Sequence, residues 1–144
     1  MKKYTGKLPP TYHISLTYER LKSALQKKLK ASGLNITAEQ LAVLRLLSTQ
    51  NECVSMQFIS TQIFRDNSAV TRIIDTLEKK SYVQRVPSIT DRRIKTICMS
   101  ELGLDVFTKA SKIAKQHVAK AMNGISENET SQLIETLTKI QNNI

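Results

Sequence analysis

Four polar residues in the centre of the chain have the spacing of one helix face. They are Ser68, Thr71, Arg72 and Asp75. Four apolar residues recur with the same spacing, two positions out of phase: Val70, Ile73, Ile74 and Leu77. Two positions correspond to about 200° of helix rotation, so the two sets face opposite ways. Such a helix can pack on a protein body with one face and present hydroxyls and a guanidinium to the DNA major groove with the other. We expect Asp75 to orient Arg72.

A second charged group follows this helix, in the reversal between two strand-like runs at residues 82–86 and 94–99. The reversal contains Asp91, Arg92 and Arg93 and is too long for a two-residue hairpin, so it predicts a protruding ribbon. Guanidinium groups on a ribbon suit the negative potential of a narrow minor groove. We expect Asp91 to brace one arginine while the other reaches DNA.

The chain has 22 Lys and Arg residues against 12 Asp and Glu residues, a formal net charge of +10. This excess favours a polyanionic partner. Lys80, Arg85 and Lys95 are candidates for contacts with DNA phosphates, which position a protein without reading sequence. The most basic part, however, is the N-terminal arm with the first predicted helix, where a solvated lysine-rich face explains the charge equally well.

Residue types that carry catalysis are sparse. His13 and His117 have no carboxylate or thiol at motif spacing, and the sequence has no phosphate-binding loop and no metal-ligand set. We therefore expect neither an enzyme nor a cofactor nor a metal. Cys53 and Cys98 also lack a metal-binding or pairing pattern. We interpret them as buried inert thiols, with a redox switch as the less favoured alternative.

The hydrophobic periodicity predicts a mainly α protein with a small β wing. Helices are expected over about residues 10–31, 37–49, 55–63, 67–80, 101–122 and from about 127, with a very short strand at 53–54. Thr37 followed by Gln40 is the clearest helix-start signal, a capping box. Only four glycines and three prolines are present, which is consistent with a helical chain.

We expect a single domain over residues 1–144, with residues 35–100 as its core. The terminal segments, 1–34 and 101–144, carry apolar stripes that need a surface to cover them. Burial against a second copy of the chain is the economical solution, and completion of the monomer's own core is the alternative. The sequence has no signal peptide and no apolar run of roughly 20 residues, so a cytoplasmic protein without a membrane partner is expected.

The order of elements, together with LAVLRLLS and SAVTRIIDTLEKKSYVQRVPSITDRRIKTICMSELG, resembles the MarR family of bacterial winged-helix regulators. The resemblance extends over about residues 35–144. It is carried most specifically by the D-R-R at Asp91–Arg93 together with the T-R-x-x-D-x-L-E at Thr71–Glu78. The family usually has glycine after the reader helix, where this chain has Ser81, so the turn there is expected to differ.

The resemblance implies a winged helix-turn-helix core flanked by dimerisation helices. It implies a homodimer on a pseudo-palindromic double-stranded DNA operator, acting in most cases as a repressor that a small ligand or an oxidant releases. Implied DNA contacts come from Asn67, Ser68, Thr71 and Arg72 on the reader helix and from Arg93 on the wing, where Asp91 corresponds to the family's aspartate. Arg92 and Lys95 are added as DNA-contact candidates from their own position and charge.

A site for a small-molecule effector would lie where the dimerisation helices meet the core. Its candidate residues are Tyr12, His13, Tyr18 and Phe107, although ordinary core or interface roles explain them better. The peroxide-sensing branch of the family uses a cysteine in the first helix, and this chain has none there. The rival interpretation is a winged-helix module that binds a protein instead of DNA.

Overall fold

The computed structural model describes residues 7–144 and divides the chain into two compact units that meet between Ala114 and Lys115. The expected loose arm at residues 1–11 lies mostly outside the described part, and the first helix begins at Pro10. The unit boundary falls inside a helix, whereas the sequence placed the end of the core at residue 100. The assignment of residues 1–144 to one domain stays a prediction.

Six helices and three short strands follow one another in the described residues. They are α1 (Pro10–Ala31), α2 (Ala38–Ser48), β1 (Val54–Ser55), α3 (Met56–Ile63), α4 (Asn67–Lys79), β2 (Val83–Pro87), β3 (Lys95–Met99), α5 (Glu101–Ala121) and α6 (Glu127–Asn142). The predicted fold class, mainly α with a small β wing, is confirmed.

Side-chain caps explain where several of these helices begin. The Thr37 hydroxyl accepts from the Gln40 backbone N–H while the Gln40 side chain accepts from the Thr37 N–H, which is the predicted capping box. Ser55 caps α3, and Asp66 caps α4 by accepting from Ala69 N at 2.8 Å. These N-cap hydrogen bonds fix the residues at which α3 and α4, the two helices of the candidate interface, begin.

The sheet has the order β1-β3-β2 and is antiparallel throughout. β2 pairs with β3 from Val83 opposite Met99 to Pro87 opposite Lys95. We call β2, β3 and the loop between them, residues 88–94, the wing. β1 pairs with the other edge of β3, with Val54 opposite Ile97, and thereby connects the wing to the start of α3.

The hydrophobic core of the first unit is built around α2 and α4. The buried face of α4 consists of the four apolar residues predicted from periodicity, Val70, Ile73, Ile74 and Leu77. They pack with residues of α2, α3, the sheet and the first part of α5. Because α4 is buried on one side only, its orientation relative to the wing is determined by this core.

Cys53 and Cys98 form a disulfide, so their interpretation as free buried thiols is wrong. The two residues extend the β1–β3 register by one position, and their Cα atoms are 4.6 Å apart, the spacing of a non-hydrogen-bonded antiparallel pair. Cys53 is exposed and Cys98 is partly buried. The sequence could not reveal the pairing, because strand register brings together residues that are 45 positions apart.

Between residues 7 and 144, two residues other than glycine adopt left-handed backbone conformations, Phe64 with φ 56° and Ser81 with φ 61°. The turn after α4 was expected to differ because Ser81 stands at a usual glycine position, but Ser81 adopts the left-handed conformation that glycine favours, so that expectation is wrong. The Ser81 carbonyl accepts a hydrogen bond from the Ser100 hydroxyl. Phe64 ends α3, and 92% of its surface is exposed. Both turns therefore have a conformation that glycine would adopt at lower cost.

The second unit contains the end of α5 and the whole of α6, which the capping box of Ser126 and Glu129 begins. None of the residues of α6 is buried. The large apolar side chains exposed in this unit are Val118, Ile125, Leu133, Ile134 and Ile144. In the part of the chain that the structure describes, no helix has the length and hydropathy needed to cross a membrane.

Candidate nucleic-acid interface

The polar face of α4 is exposed over its first two turns. Asn67, Ser68, Thr71 and Arg72 are all solvent-accessible, and the residues between them that point inward belong to the core. The amphipathic helix inferred from the sequence is therefore confirmed, and its exposed side carries an amide, two hydroxyls and a guanidinium. These groups are of the types that read base edges in the major groove.

Hydrogen bonds within the helix orient these side chains. The Thr71 hydroxyl donates to the Asn67 carbonyl at 2.8 Å, which leaves its oxygen lone pairs and its methyl group for an incoming ligand. Arg72 Nε approaches the Ser68 carbonyl at 3.4 Å. The Asn67 amide donates to the Gln57 side chain at 3.4 Å and so links the N-terminal turn of α4 to α3.

Asp75 does not orient Arg72, and that expectation is corrected. Its carboxylate binds Arg85 on β2, with 2.6 Å between Arg85 Nη2 and Asp75 Oδ1, and Arg85 also forms an ion pair with Glu78. Burial alone lowers the pKa of Arg85, but the hydrogen bonds to Asp75 and Glu78 outweigh it and raise the pKa overall. Arg85 is therefore a connector between α4 and the wing and is unavailable to a phosphate.

Lys80 is also engaged within the protein. Its ammonium donates to the Asn35 carbonyl at 2.7 Å and to the Gln40 side chain at 3.2 Å, and burial lowers its pKa. This contact ties the end of α4 to the loop before α2. Of the three candidate phosphate ligands, Lys95 at the start of β3 remains exposed and is suitably placed.

Backbone hydrogen bonds shape the wing loop. Asp91 Oδ1 accepts from the Arg93 backbone N–H at 3.0 Å, and the Asp91 carbonyl accepts from Ile94 N at 3.0 Å. Asp91 thus braces the loop backbone, whereas we expected it to brace a guanidinium. Within residues 7–144 neither Arg92 nor Arg93 forms an ion pair, and both side chains are exposed. Both cations are free to meet a polyanion.

The four candidate effector residues lie in two different environments. Tyr12 and His13 are exposed on α1 and contact each other edge to face, with 5.6 Å between ring centroids. Tyr18 is 51% exposed on the same helix. Phe107 on α5 packs against the core. The effector site stays a prediction.

One ionic cluster at the edge of the interface escaped the sequence analysis. The Glu39 carboxylate accepts from Lys22 on α1 and from Arg65 in the turn before α4, each at 3.0 Å. The hydrogen bond from Lys22 and both positive charges lower the pKa of Glu39 although partial burial opposes them. Nothing in the sequence signals this cluster, because its three members come from segments that only the fold brings together.

A helix-turn-helix of α3 and α4 followed by a β wing defines a winged-helix protein. Its exposed residues include amide, hydroxyl and guanidinium groups on α4 and, within residues 7–144, two arginines without ion pairs on the wing. Among residues 7–144 no group of three or more His, Cys, Asp or Glu side chains is arranged to hold a metal ion.

The comparison with known proteins agrees with this class. The family model described as MarR family matches residues 36–95. The HTH-type transcriptional regulator PrsX of Escherichia coli is 28% identical over 121 residues, which is 84% of this chain and 72% of PrsX. MhqR of Bacillus subtilis, also an HTH-type transcriptional regulator, is 26% identical over 127 residues, 88% of this chain and 86% of MhqR.

Among solved structures, the S. aureus MepR–DNA complex superposes with a TM-score of 0.88 at 22% identity and covers 96% of this chain and 100% of MepR. This chain is therefore similar to the MarR family over residues 36–95, and it shares the fold of MepR.

Proposed function

We propose that this protein is a transcriptional regulator that binds double-stranded DNA sequence-specifically as a homodimer. The observation that supports it most directly is the exposed polar face of α4, held rigidly over a core formed by its opposite side. A side chain that reads bases must be exposed and oriented before it meets DNA, because ordering it costs binding free energy.

Base reading is assigned to the first two turns of α4. The Arg72 guanidinium can donate two hydrogen bonds to O6 and N7 of a guanine. Thr71, with its hydroxyl proton directed to Asn67, offers a lone pair to an amino group of adenine or cytosine and its methyl group to thymine. Ser68 and Asn67 contact base edges or phosphates at the entrance of the helix.

The wing supplies the second contact. Arg92 and Arg93 enter the minor groove, and Lys95 binds a phosphate next to it. Asp75 and Asp91 act indirectly, the first through Arg85 and the second through the loop backbone.

The homodimer is proposed from the apolar side chains exposed on the terminal helices. Ile14, Tyr18 and Leu21 on α1 and Leu133 and Ile134 on α6 are 38% to 59% exposed. Exposed apolar side chains that cluster on a surface commonly mark an interface with another protein chain. A second copy would cover them and place two α4 helices in successive major grooves, about 34 Å apart on a pseudo-palindromic operator.

Repression with release by a small ligand is the regulatory mode that we propose. A dimer seated on an operator blocks access to it, and an effector bound near Tyr12, His13, Tyr18 or Phe107 would change the distance between the two α4 helices. The activity is binding without catalysis and requires no cofactor, and a regulator of bacterial DNA acts in the cytoplasm.

Fluorescence anisotropy with labelled duplexes tests the proposal. We expect tight binding to duplexes selected by the protein from a random pool, with affinity falling steeply as salt rises because bound cations are released from DNA. Thr71→Ala and Arg72→Ala should weaken binding to the selected duplex more than to random DNA. Arg93→Ala should weaken both and reduce the salt slope by about one.

Arg45→Ala is the matched control, since Arg45 is an exposed arginine on α2, outside α4 and the wing. It should leave binding nearly unchanged. If wild-type protein shows no salt-dependent duplex binding, the proposal fails and the winged-helix protein-interaction module replaces it. Equal losses on all sequences for the three α4 and wing variants would contradict base reading by α4.

A further inference from the structure

The tip of the wing carries a large apolar side chain in full contact with water. Ile89 is 102% exposed, so it is as accessible to solvent as an isoleucine in an extended, unfolded chain. Ile94, on the return side of the loop, is 50% exposed. Neither side chain contributes to the core of the first unit. An apolar group at this position gains nothing in the free protein, since burying an isoleucine is favourable only when a surface covers it.

The loop presents Ile89 in a defined position. The Ser88 backbone N–H donates to the Ile94 carbonyl at 2.8 Å and closes the loop at its base. The Ser88 hydroxyl accepts from Thr90 N at 3.3 Å and shares a hydrogen bond of 3.0 Å with the Thr90 hydroxyl. Ile89 therefore lies between two residues that are hydrogen-bonded to each other, and its side chain is fully exposed.

The positive charge of the wing loop indicates what kind of surface would cover Ile89. Arg92 and Arg93 belong to the same loop, and in the described part of the chain their guanidiniums have no carboxylate partner. A surface that neutralises these two cations is a polyanion, and it must also offer an apolar lining near the charges. The DNA minor groove has both properties, because deoxyribose rings form its walls between the phosphates. Proteins that bind there often place an apolar side chain against base steps.

We propose that Ile89 is a DNA-contact residue that packs on sugars and base edges in the minor groove that the wing enters. The inference rests on the DNA binding proposed above and assigns to the wing an apolar contact in addition to its cations. Arg92 and Arg93 hold the loop at the groove because they bind phosphates and are attracted by the negative potential of the minor groove. Ile89 provides an apolar contact that salt does not screen.

Anisotropy titrations of Ile89 variants on the selected duplex test this. Ile89→Asn replaces the apolar side chain by a polar one of similar size, and Ile89→Leu is the matched control that keeps the apolar surface. We expect Ile89→Asn to weaken binding about five- to tenfold, as for loss of a partly buried aliphatic contact, and Ile89→Leu to stay within about twofold of wild type. The slope of log affinity against log salt should be the same for all three proteins, because the number of phosphates bound does not change.

Modified bases locate the contact. Replacing adenine by 2,6-diaminopurine adds an amino group in the minor groove and leaves the major-groove edge intact, as the 2-amino group of guanine does naturally. When 2,6-diaminopurine is placed in the duplex where the wing enters the minor groove, it should weaken binding of the wild-type protein. The loss of affinity for Ile89→Asn should be at least threefold smaller. Because Ile89 is fully exposed, thermal melts of both variants should match wild type.

The outcomes separate this inference from the proposed function. If Ile89→Asn binds the selected duplex as tightly as the wild-type protein does, the proposed role of Ile89 is overturned, while DNA binding by the protein is not. An equal loss for Ile89→Leu, or a salt slope reduced by about one for Ile89→Asn, also overturns it, since loop shape or a lost phosphate contact would then explain the effect. Failure of wild-type protein to bind any duplex overturns the proposed function itself.

Discussion

Breaking the Cys53–Cys98 disulfide should remove a large part of the stability of this protein. The bond closes a loop across 45 positions and connects the segment before α3 to the central strand of the sheet. In the chain-entropy model, a cross-link over a loop of this length stabilises the folded state by about 4 kcal/mol at 25 °C. Small domains have only about 5–15 kcal/mol in total, so the effect should be evident in any unfolding experiment.

Urea unfolding followed by circular dichroism measures the difference. Oxidised wild-type protein is compared with the same protein in excess phosphine reductant and with a Cys53→Ser, Cys98→Ser double variant. Protein concentration is held constant throughout, because unfolding of a dimer depends on it. We expect the reduced protein and the double variant to unfold at the same urea concentration, lower than that for the oxidised protein. Their free energy of unfolding should be about 3–4 kcal/mol smaller than that of the oxidised protein. The oxidised form should also have the smaller m-value, because its denatured state stays cross-linked.

The double variant is the control, since the reductant should leave its midpoint unchanged. Alkylation followed by mass spectrometry verifies the state of the cysteines before each titration. Coincident curves for oxidised and reduced wild-type protein would refute the reasoning, because the bond would then contribute nothing that the β1–β3 pairing does not already provide.

Three further predictions concern the folded state and are read by thermal or urea unfolding. Gly103→Ala should cost about 1–3 kcal/mol, because a Cβ there would lie 2.0 Å from the Tyr82 carbonyl oxygen. Phe64→Gly should raise stability by up to about 1 kcal/mol by relieving the left-handed conformation, and Phe64→Val should lower it. Glu39→Gln should cost less than about 1 kcal/mol at pH 7. Since folding lowers the pKa of Glu39, this difference should be complete above the usual glutamate pKa and vanish as pH falls through the lowered value; a constant difference from pH 7 to 3 would contradict it.

What the sequence by itself determined is local. The apolar and polar faces of α4 follow from helix periodicity, which needs only residues within two turns of one another. The caps at Thr37, Ser55 and Ser126 follow from a side chain and a backbone N–H three residues apart. The exposed arginines of the wing follow from a polar reversal with little to bury them. The fold class and the family resemblance were therefore accessible before any coordinates.

The partners of these groups were decided by tertiary structure alone. Asp75 is near Arg72 along its own helix, yet the β2 strand brings Arg85 to it with better geometry. Lys80 looked like a free cation until the fold placed the Asn35 carbonyl next to it, and the cysteines looked unrelated until strand register set them opposite each other. The physical reason is the same in each case: an ion pair, an ammonium hydrogen bond or a disulfide depends on distances between segments remote in the chain, and those distances are set by the packing of the core.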